Sequence, residues 1–180
     1  MRLLLLLLLL MPALAAAQPA EPEGYRLSDY RAPTSQTLQG AQVISTEEAE
    51  VLWREGVAIF IDVLPQAPRP QNLPADTIWR GRQRQNIPGS LWLPNTGFGD
   101  LAASTEAYFR AGLEKASGGD YQRPLVIYCD RDCWMSWNAA KRAVSYGYSN
   151  IIWYPDGVEG WAAAGLPLEA TTPEEVNSAP

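Results

Sequence analysis

The chain has 180 residues, 20 of them acidic and 14 basic, with two cysteines and no histidine. Its net charge of −6 argues against nucleic acid or an anionic membrane surface as a partner. Without histidine, histidine-based catalytic triads, histidine metal sites and covalent haem attachment through C-x-x-C-H are excluded. No metal site is predicted.

The N-terminal segment has the three parts of a secretory signal peptide. Met1 and Arg2 form a charged start, eight leucines follow, and Ala15 and Ala17 give a small-residue cleavage site. The apolar run is shorter than the roughly 20 residues that a membrane-spanning helix needs. We therefore expect residues 1–17 to be removed and the mature protein to have no membrane attachment; a retained N-terminal anchor is the less favoured alternative.

The remaining chain divides into an extended proline-containing lead-in (18–42), one domain (43–170) and a polar tail (171–180) that we expect to fray. Short apolar runs rich in β-branched residues predict strands at 43–44, 57–63, 91–94, 125–128 and 151–154. Helical spacing predicts helices between Ser45 and Gly56, around 105–115, between the cysteines and Gly147, and at 158–164. This alternation indicates an α/β fold, with a mostly parallel central sheet flanked by helices.

The stretch that follows the strand 125–128 contains both cysteines, with three residues between them. Cys129 is a candidate nucleophile, because ligands of parallel α/β sheets collect where strands end and helices begin. Our first hypothesis is a reversible dithiol and disulfide centre, with Cys129 as nucleophile and Cys133 as resolving thiol. A structural disulfide is the main alternative, although a small loop limits its entropic benefit. A metal or cofactor contact is the third.

Neighbouring residues complete the candidate site. The residues expected to form the loop and to contact substrate are Asp130, Arg131, Asp132, Trp134, Met135 and Ser136. The candidate rim consists of Asp62, Arg80, Arg82, Arg84 and Tyr154. The arginines come from a long loop, 64–86, and would steer an anion or an acidic partner toward the thiol, the alternative being a solvated loop. Asp62 is expected to hold loop amides, and Trp134 and Tyr154 are site walls unless they are buried in the core.

Five segments, in order, resemble the rhodanese-like domain, over about residues 43–169. They are 44–49, 61–63, 86–94 with its Asn86-Ile87-Pro88-Gly89, 128–129 and 157–167. The resemblance implies a single α/β domain with Cys129 as the catalytic cysteine of persulfide, sulfurtransferase-type chemistry. Asn86 replaces the family's histidine, and Met135 stands where phosphatase relatives need arginine, which discounts phosphoryl chemistry. Two aspartates beside the thiol would raise its pKa and weaken the capture of an anionic donor such as thiosulfate.

Residues 133–141 and 153–157 are similar to a secreted group, the PQQ-dependent catabolism-associated CXXCW motif proteins. That name specifies two residues between the cysteines, whereas this chain has three. The resemblance implies a periplasmic protein associated indirectly with pyrroloquinoline quinone (PQQ), and no cofactor is assigned to the chain itself. Its partner would be a small thiol or sulfur donor, or a periplasmic redox protein of alcohol oxidation.

Two function classes follow from the sequence. The first is a periplasmic rhodanese-like thiol protein that performs thiol-disulfide or persulfide chemistry through Cys129, accessory to PQQ-dependent alcohol oxidation. The second is a non-catalytic module that binds a dehydrogenase, a cytochrome or a cofactor, with a structural disulfide between Cys129 and Cys133.

Overall fold

The computed structural model describes residues 19–67, 70–74, 76–78 and 83–176. The predicted signal peptide, its cleavage site, Arg80, Arg82 and the last four residues lie outside the described residues. Within the described part, no helix has both the length and the apolar character that crossing a membrane requires.

Seven strands and four helices make up the described chain. The strands are β1 (Ala41–Val43), β2 (Ile59–Asp62), β3 (Arg84–Asn86), β4 (Leu91–Trp92), β5 (Leu125–Tyr128), β6 (Ile151–Tyr154) and β7 (Glu169–Thr171). The helices are α1 (Thr46–Glu55), α2 (Ala103–Ser117), α3 (Trp134–Ser145) and α4 (Gly157–Ala163). Five strands form one sheet in the order β1-β6-β5-β2-β4, with every pair parallel. The predicted α/β class with a parallel central sheet is therefore confirmed.

The central strand β5 is buried on both faces, which explains its uninterrupted apolar sequence. Leu125 and Ile127 pack on the side of α2 and α3, whereas Val126 and Tyr128 pack on the side of α1 and α4. This places the end of β5, and the cysteine that follows it, at the centre of the sheet.

A second, two-stranded sheet was not expected from the sequence. The strand β3 lies within the segment predicted as a loop, and it pairs antiparallel with β7, which places Arg84 opposite Thr171. The described part of the tail, 171–176, also differs from the expectation that it frays. Glu174 donates its amide to the carbonyl of Trp92 at 2.8 Å and accepts a hydrogen bond from the hydroxyl of Tyr108 at 2.9 Å.

The lead-in crosses the N-terminal half of α3, and one face of that helix binds it. Four side chains at helical spacing i, i+3, i+4 and i+7 donate hydrogen bonds to lead-in carbonyls at 2.9 to 3.2 Å. The pairs are Trp134 with Pro33, Trp137 with Thr37, Asn138 with Arg26, and Lys141 with Pro22. Polar atoms of α3 thus hold the part of the lead-in between residues 22 and 37, which contains no helix or strand of its own.

Gly157 lies where the turn after β6 passes the end of β5. Its φ is +54°, and a Cβ at this position would overlap the backbone carbonyl of Cys129. That carbonyl accepts a hydrogen bond from the amide of Val158 at 2.9 Å. Both the backbone conformation and the close approach therefore require glycine.

We expect Gly157→Ala to lower the free energy of unfolding more than Gly165→Ala does. Both glycines have positive φ, 54° and 74°, which costs alanine about 1–2 kcal/mol. Only at Gly157 would the new Cβ meet backbone, since nothing lies within 4 Å of the corresponding position at Gly165. Urea denaturation of the two variants measures the difference, and equal losses would show that the close approach is unimportant.

Candidate functional site

The two cysteines form a disulfide that joins the end of β5 to the start of α3. Cys129 follows the last residue of β5, and Cys133 is the N-cap residue of α3. Their Cα atoms lie 6.6 Å apart, within the usual range for disulfides. The cysteines are only 0% and 1% exposed, so the disulfide lies beneath the protein surface.

The sulfur of Cys129 faces backbone oxygens. Its Sγ lies 3.6 Å from the carbonyl oxygen of Asp130 and 3.8 Å from that of Cys133. Two amides of the loop are already paired, since Arg131 donates its N–H to Glu159 and Trp134 donates its N–H to the carbonyl of Tyr30. Partial negative charge next to the sulfur disfavours an anionic thiolate or persulfide there.

A chain of ion pairs fixes the start of the cysteine loop. Asp62, fully buried at the end of β2, accepts the amide of Leu64 at 2.9 Å and the Nε–H of Arg84 at 2.7 Å. Arg84 also donates to Asp130 at 2.9 Å and to the carbonyl of Cys129 at 3.5 Å. Complete burial raises the pKa of Asp62, and the adjacent Arg84 guanidinium opposes this rise. Asp62 thus fixes Arg84, and Arg84 fixes the start of the loop through Asp130 and the carbonyl of Cys129.

The same chain continues to the surface. The second carboxylate oxygen of Asp130 accepts a hydrogen bond from Arg31 of the lead-in at 3.1 Å, and Arg31 lies 3.8 Å from Glu159. On the other side of the loop, Arg131 lies 3.4 Å from Asp156. Each described arginine of this network is therefore paired with a carboxylate, and none of these side chains is left as a free cation for an anionic substrate.

The predicted loop residues divide into buried and exposed groups. Trp134, Met135 and Ser136 are buried, and the hydroxyl of Ser136 accepts a hydrogen bond from the Nε1–H of Trp153 at 3.0 Å. Arg131 and Asp132 are exposed, and Asp132 has a positive φ of 52° at the turn of the loop. Trp134, Met135 and Ser136 could contact a substrate, as predicted, only if the residues that cover them moved away.

The two aromatic residues expected as site walls lie in the interior. Trp134 is 2% exposed, and its indole N–H donates a hydrogen bond to the carbonyl of Pro33. Tyr154 is 0% exposed, and its hydroxyl lies 2.9 Å from that of Thr46. Burial raises the pKa of Tyr154 to about 12. The structure therefore favours the core alternative for both residues.

Three participants in the site were not predicted. Arg31 and Tyr30 belong to a lead-in with no periodic pattern, so the sequence carries no signal for them. Glu159 lies in the first turn of α4, where acidic residues are common because they interact favourably with the helix dipole. Its presence there therefore gave no sign of a role in the site. Asn86, the residue in place of the family's histidine, is fully buried, and neither polar atom of its side chain has a hydrogen-bond partner within the described structure.

Two surface grooves flank the loop. One, of about 530 Å³, is lined on the loop side by Arg31, Arg84, Asp130 and Glu159. The other, of about 650 Å³, is lined by Arg131, Asp132, Asp156 and part of the lead-in. Neither cysteine is part of either lining in the described structure.

The family profile described as Rhodanese-like domain matches residues 45–164. This match spans four of the five strands of the main sheet and the cysteine loop, and the chain belongs to the rhodanese-like domain family. A search of curated proteins found no match.

Solved structures show the same fold. The chain is similar to a thiosulfate sulfurtransferase from Pseudomonas aeruginosa, with 18% identity, a TM-score of 0.51, and coverage of 76% of this chain and 22% of that one. It therefore spans about a fifth of that protein's length. An EanB variant in complex with hercynine gives 18% identity, a TM-score of 0.50, and coverage of 79% and 34%. A polysulfide-sulfur transferase from Wolinella succinogenes gives 21% identity, a TM-score of 0.45, and coverage of 72% of this chain and 79% of that one.

We expect Arg84→Met to lower the free energy of unfolding by about 3–5 kcal/mol, because it leaves the buried Asp62 carboxylate without its cation. The matched control is Arg54→Met, which removes an exposed pair with Glu50 and should cost less than about 1 kcal/mol. Adding Asp62→Asn to Arg84→Met should recover part of the loss. Urea denaturation measures all three, and equal effects of the two arginine variants would contradict this role of Arg84.

We expect Asn86→Leu to raise the free energy of unfolding, because a buried amide without partners costs about 1–3 kcal/mol and leucine carries no such cost. Asn138→Leu is the control. Asn138 is equally buried but makes hydrogen bonds to Arg26 and Gly97, so this variant should be destabilised. Thermal unfolding distinguishes the two, and destabilisation by Asn86→Leu would indicate that the amide has a partner.

Proposed function

We propose that this rhodanese-like protein is a periplasmic redox protein whose Cys129–Cys133 pair cycles between dithiol and disulfide, accessory to PQQ-dependent alcohol oxidation. The single observation that carries the redox part is the disulfide itself, because it includes Cys129, the residue that the resemblance implies as the catalytic cysteine. Oxidation of the two thiols forms the S–S bond and releases two electrons and two protons. A redox partner accepts them, and reduction returns them to the sulfurs.

The surroundings of Cys129 support disulfide chemistry over persulfide transfer from an anionic donor. Two carbonyl oxygens face its sulfur, and the nearby amides of Arg131 and Trp134 bind Glu159 and Tyr30 instead. The guanidinium groups of Arg31 and Arg84 bind carboxylates. A thiosulfate-like donor would therefore find no free cation among these groups, whereas a disulfide forms between two sulfurs of the chain itself and requires no bound anion.

The cellular setting rests on the sequence. The N-terminal pattern of residues 1–17 supports export, and an exported cysteine pair meets an oxidising compartment. The segments 133–141 and 153–157, similar to the CXXCW motif proteins, support an association with PQQ-dependent alcohol oxidation. The proposed partner is a periplasmic redox protein of that process, and a small thiol is the alternative electron donor.

A second candidate function is a non-catalytic binding module with a structural disulfide. The observation that favours it is the burial of both cysteines, 0% and 1% exposed, because exchange needs access to a sulfur atom. In this alternative the two grooves beside the loop, rather than the sulfurs, contact the partner.

A cysteine substitution series distinguishes the two functions. In a host that lacks the wild-type copy, Cys129→Ser and Cys133→Ser are each expected to abolish the contribution of the protein to alcohol oxidation. Cys129→Ala with Cys133→Ala, checked for folding by circular dichroism, controls for simple loss of the disulfide bond. Full restoration of alcohol oxidation by all three variants would exclude the redox function and favour the binding module.

The redox state also gives a direct measurement. In protein taken from its native compartment and alkylated at once, we expect a mixture of disulfide and dithiol forms whose ratio changes when alcohol oxidation is induced. Intact-mass analysis counts the alkyl groups. An added sulfur atom on one cysteine would instead identify persulfide chemistry, and a disulfide that never changes would identify a structural role.

A further inference from the structure

The disulfide cannot react where it lies. Thiol-disulfide exchange requires the attacking thiolate to approach a sulfur along the S–S axis, and both cysteines are at most 1% exposed. Neither flanking groove includes a cysteine in its lining within the described chain. If the pair is redox-active, part of the cover, meaning the elements packed around the disulfide, must move.

Two parts of the cover are unsuited to moving. The helix α3 and the strand β5, which carry the cysteines, are buried along most of their length. The turn at Gly157 is followed by Val158 and Trp161, which are buried in the core beside β5. Displacing either element would expose apolar surface and cost much of the stability of the domain.

The third part of the cover is the lead-in segment 30–33. Arg31 forms an isolated antiparallel bridge with Cys133, and the carbonyl of Tyr30 accepts the amide of Trp134 at 2.9 Å. Tyr30 and Ala32 pack against the same apolar cluster that contains both cysteines. Arg31 and Pro33 are exposed, so this segment is a single layer between the cysteine loop and solvent.

Single hydrogen bonds and side-chain ion pairs hold this segment in place, including the bond from the Nε1–H of Trp134 to the carbonyl of Pro33 at 3.1 Å. The hydroxyl of Tyr30 accepts the amide of Gly99 at 3.2 Å, and its ring packs edge-on against Phe98. The side chain of Arg31, 52% exposed, pairs with Asp130 and Glu159. Exposed ion pairs and single hydrogen bonds are weak, so such a segment opens far more often than the whole domain unfolds.

We propose that residues 30–33 form a lid over the disulfide, with Tyr30 and Arg31 as its positioning residues, and that this lid sets the rate at which the pair exchanges electrons with a partner. The proposal rests on the redox function proposed above and adds its regulation. A redox partner gains access to the sulfurs by displacing the lid, while the rest of the domain stays folded.

Dithiothreitol is the probe for lid opening. One of its thiolates attacks a protein sulfur, the S–S bond breaks, and the other cysteine leaves as a thiolate. The second dithiothreitol thiol then displaces the mixed disulfide and closes its own ring. The protein gains two electrons and two protons, and dithiothreitol loses them. Quenching with an alkylating agent and intact-mass analysis gives the rate.

The dependence of this rate on urea separates lid opening from unfolding. Opening of a few residues exposes little surface, so the rate should rise only slightly at low urea and steeply near the unfolding transition. A rate that follows the full urea dependence of global unfolding from zero urea upward would overturn the proposal.

Two conservative variants test the lid directly. Tyr30→Phe removes one hydrogen bond and keeps the ring, and it should speed reduction about two- to tenfold in the absence of urea. Arg31→Ala should speed it up to about fivefold, and Arg31→Lys should restore most of the wild-type rate. Combining Tyr30→Phe with Arg31→Ala should multiply the two effects.

The controls remove equivalent interactions elsewhere. Tyr108→Phe removes one hydroxyl hydrogen bond, to Glu174 of the tail, and Arg54→Ala removes one exposed ion pair, with Glu50. Neither should change the reduction rate at low urea, and rates that rise equally in controls and lid variants would overturn the lid. The redox function is tested separately, by the activity of Cys129→Ser. If that variant is fully active while the lid variants still change the reduction rate, the redox function is refuted and the lid is not.

Discussion

The arrangement of the site depends on one largely buried cation, the side chain of Arg84, which is 11% exposed. Arg84 joins the ends of two adjacent strands by binding Asp62 at the end of β2, and both Asp130 and the carbonyl of Cys129 after β5. Removing these charges from water is costly, so the pairing must stay close and fully hydrogen-bonded for the domain to be stable. The position of the cysteine loop follows from it, and through Asp130 the position of Arg31 and the lead-in follows as well.

Most of the fold could be predicted because its main strands and helices have strong local patterns. The run 125–128 is apolar throughout, and the pattern Ser45-Thr46-Glu47-Glu48 does form the capping box, with Ser45 and Glu48 exchanging hydrogen bonds. The strands β3 and β7 could not be predicted. Each has three residues, largely polar, and each is stabilised only by pairing with a strand far away in sequence.

The site was only partly predictable, for a related reason. Sequence position places Cys129 at the end of a strand, but whether a neighbouring aromatic residue faces solvent depends on what covers it. Trp134 and Trp137 are buried because carbonyls of the lead-in accept their indole N–H groups. Likewise, the two aspartates of the loop suggested uncompensated negative charge, whereas Asp130 binds two arginines from distant segments. Such long-range pairs leave no trace in local composition.

The small sheet links the C-terminal end of the domain to the cysteine loop. The strand β7 is the only described partner of β3, and β3 carries Arg84. A shortened version of the protein that ended after α4, where the match to the family profile also ends, would keep every strand of the main sheet. It would nevertheless lose the support of the residue that anchors the loop. The part of the chain that positions the cysteine loop is therefore longer than the segment that matches the family profile.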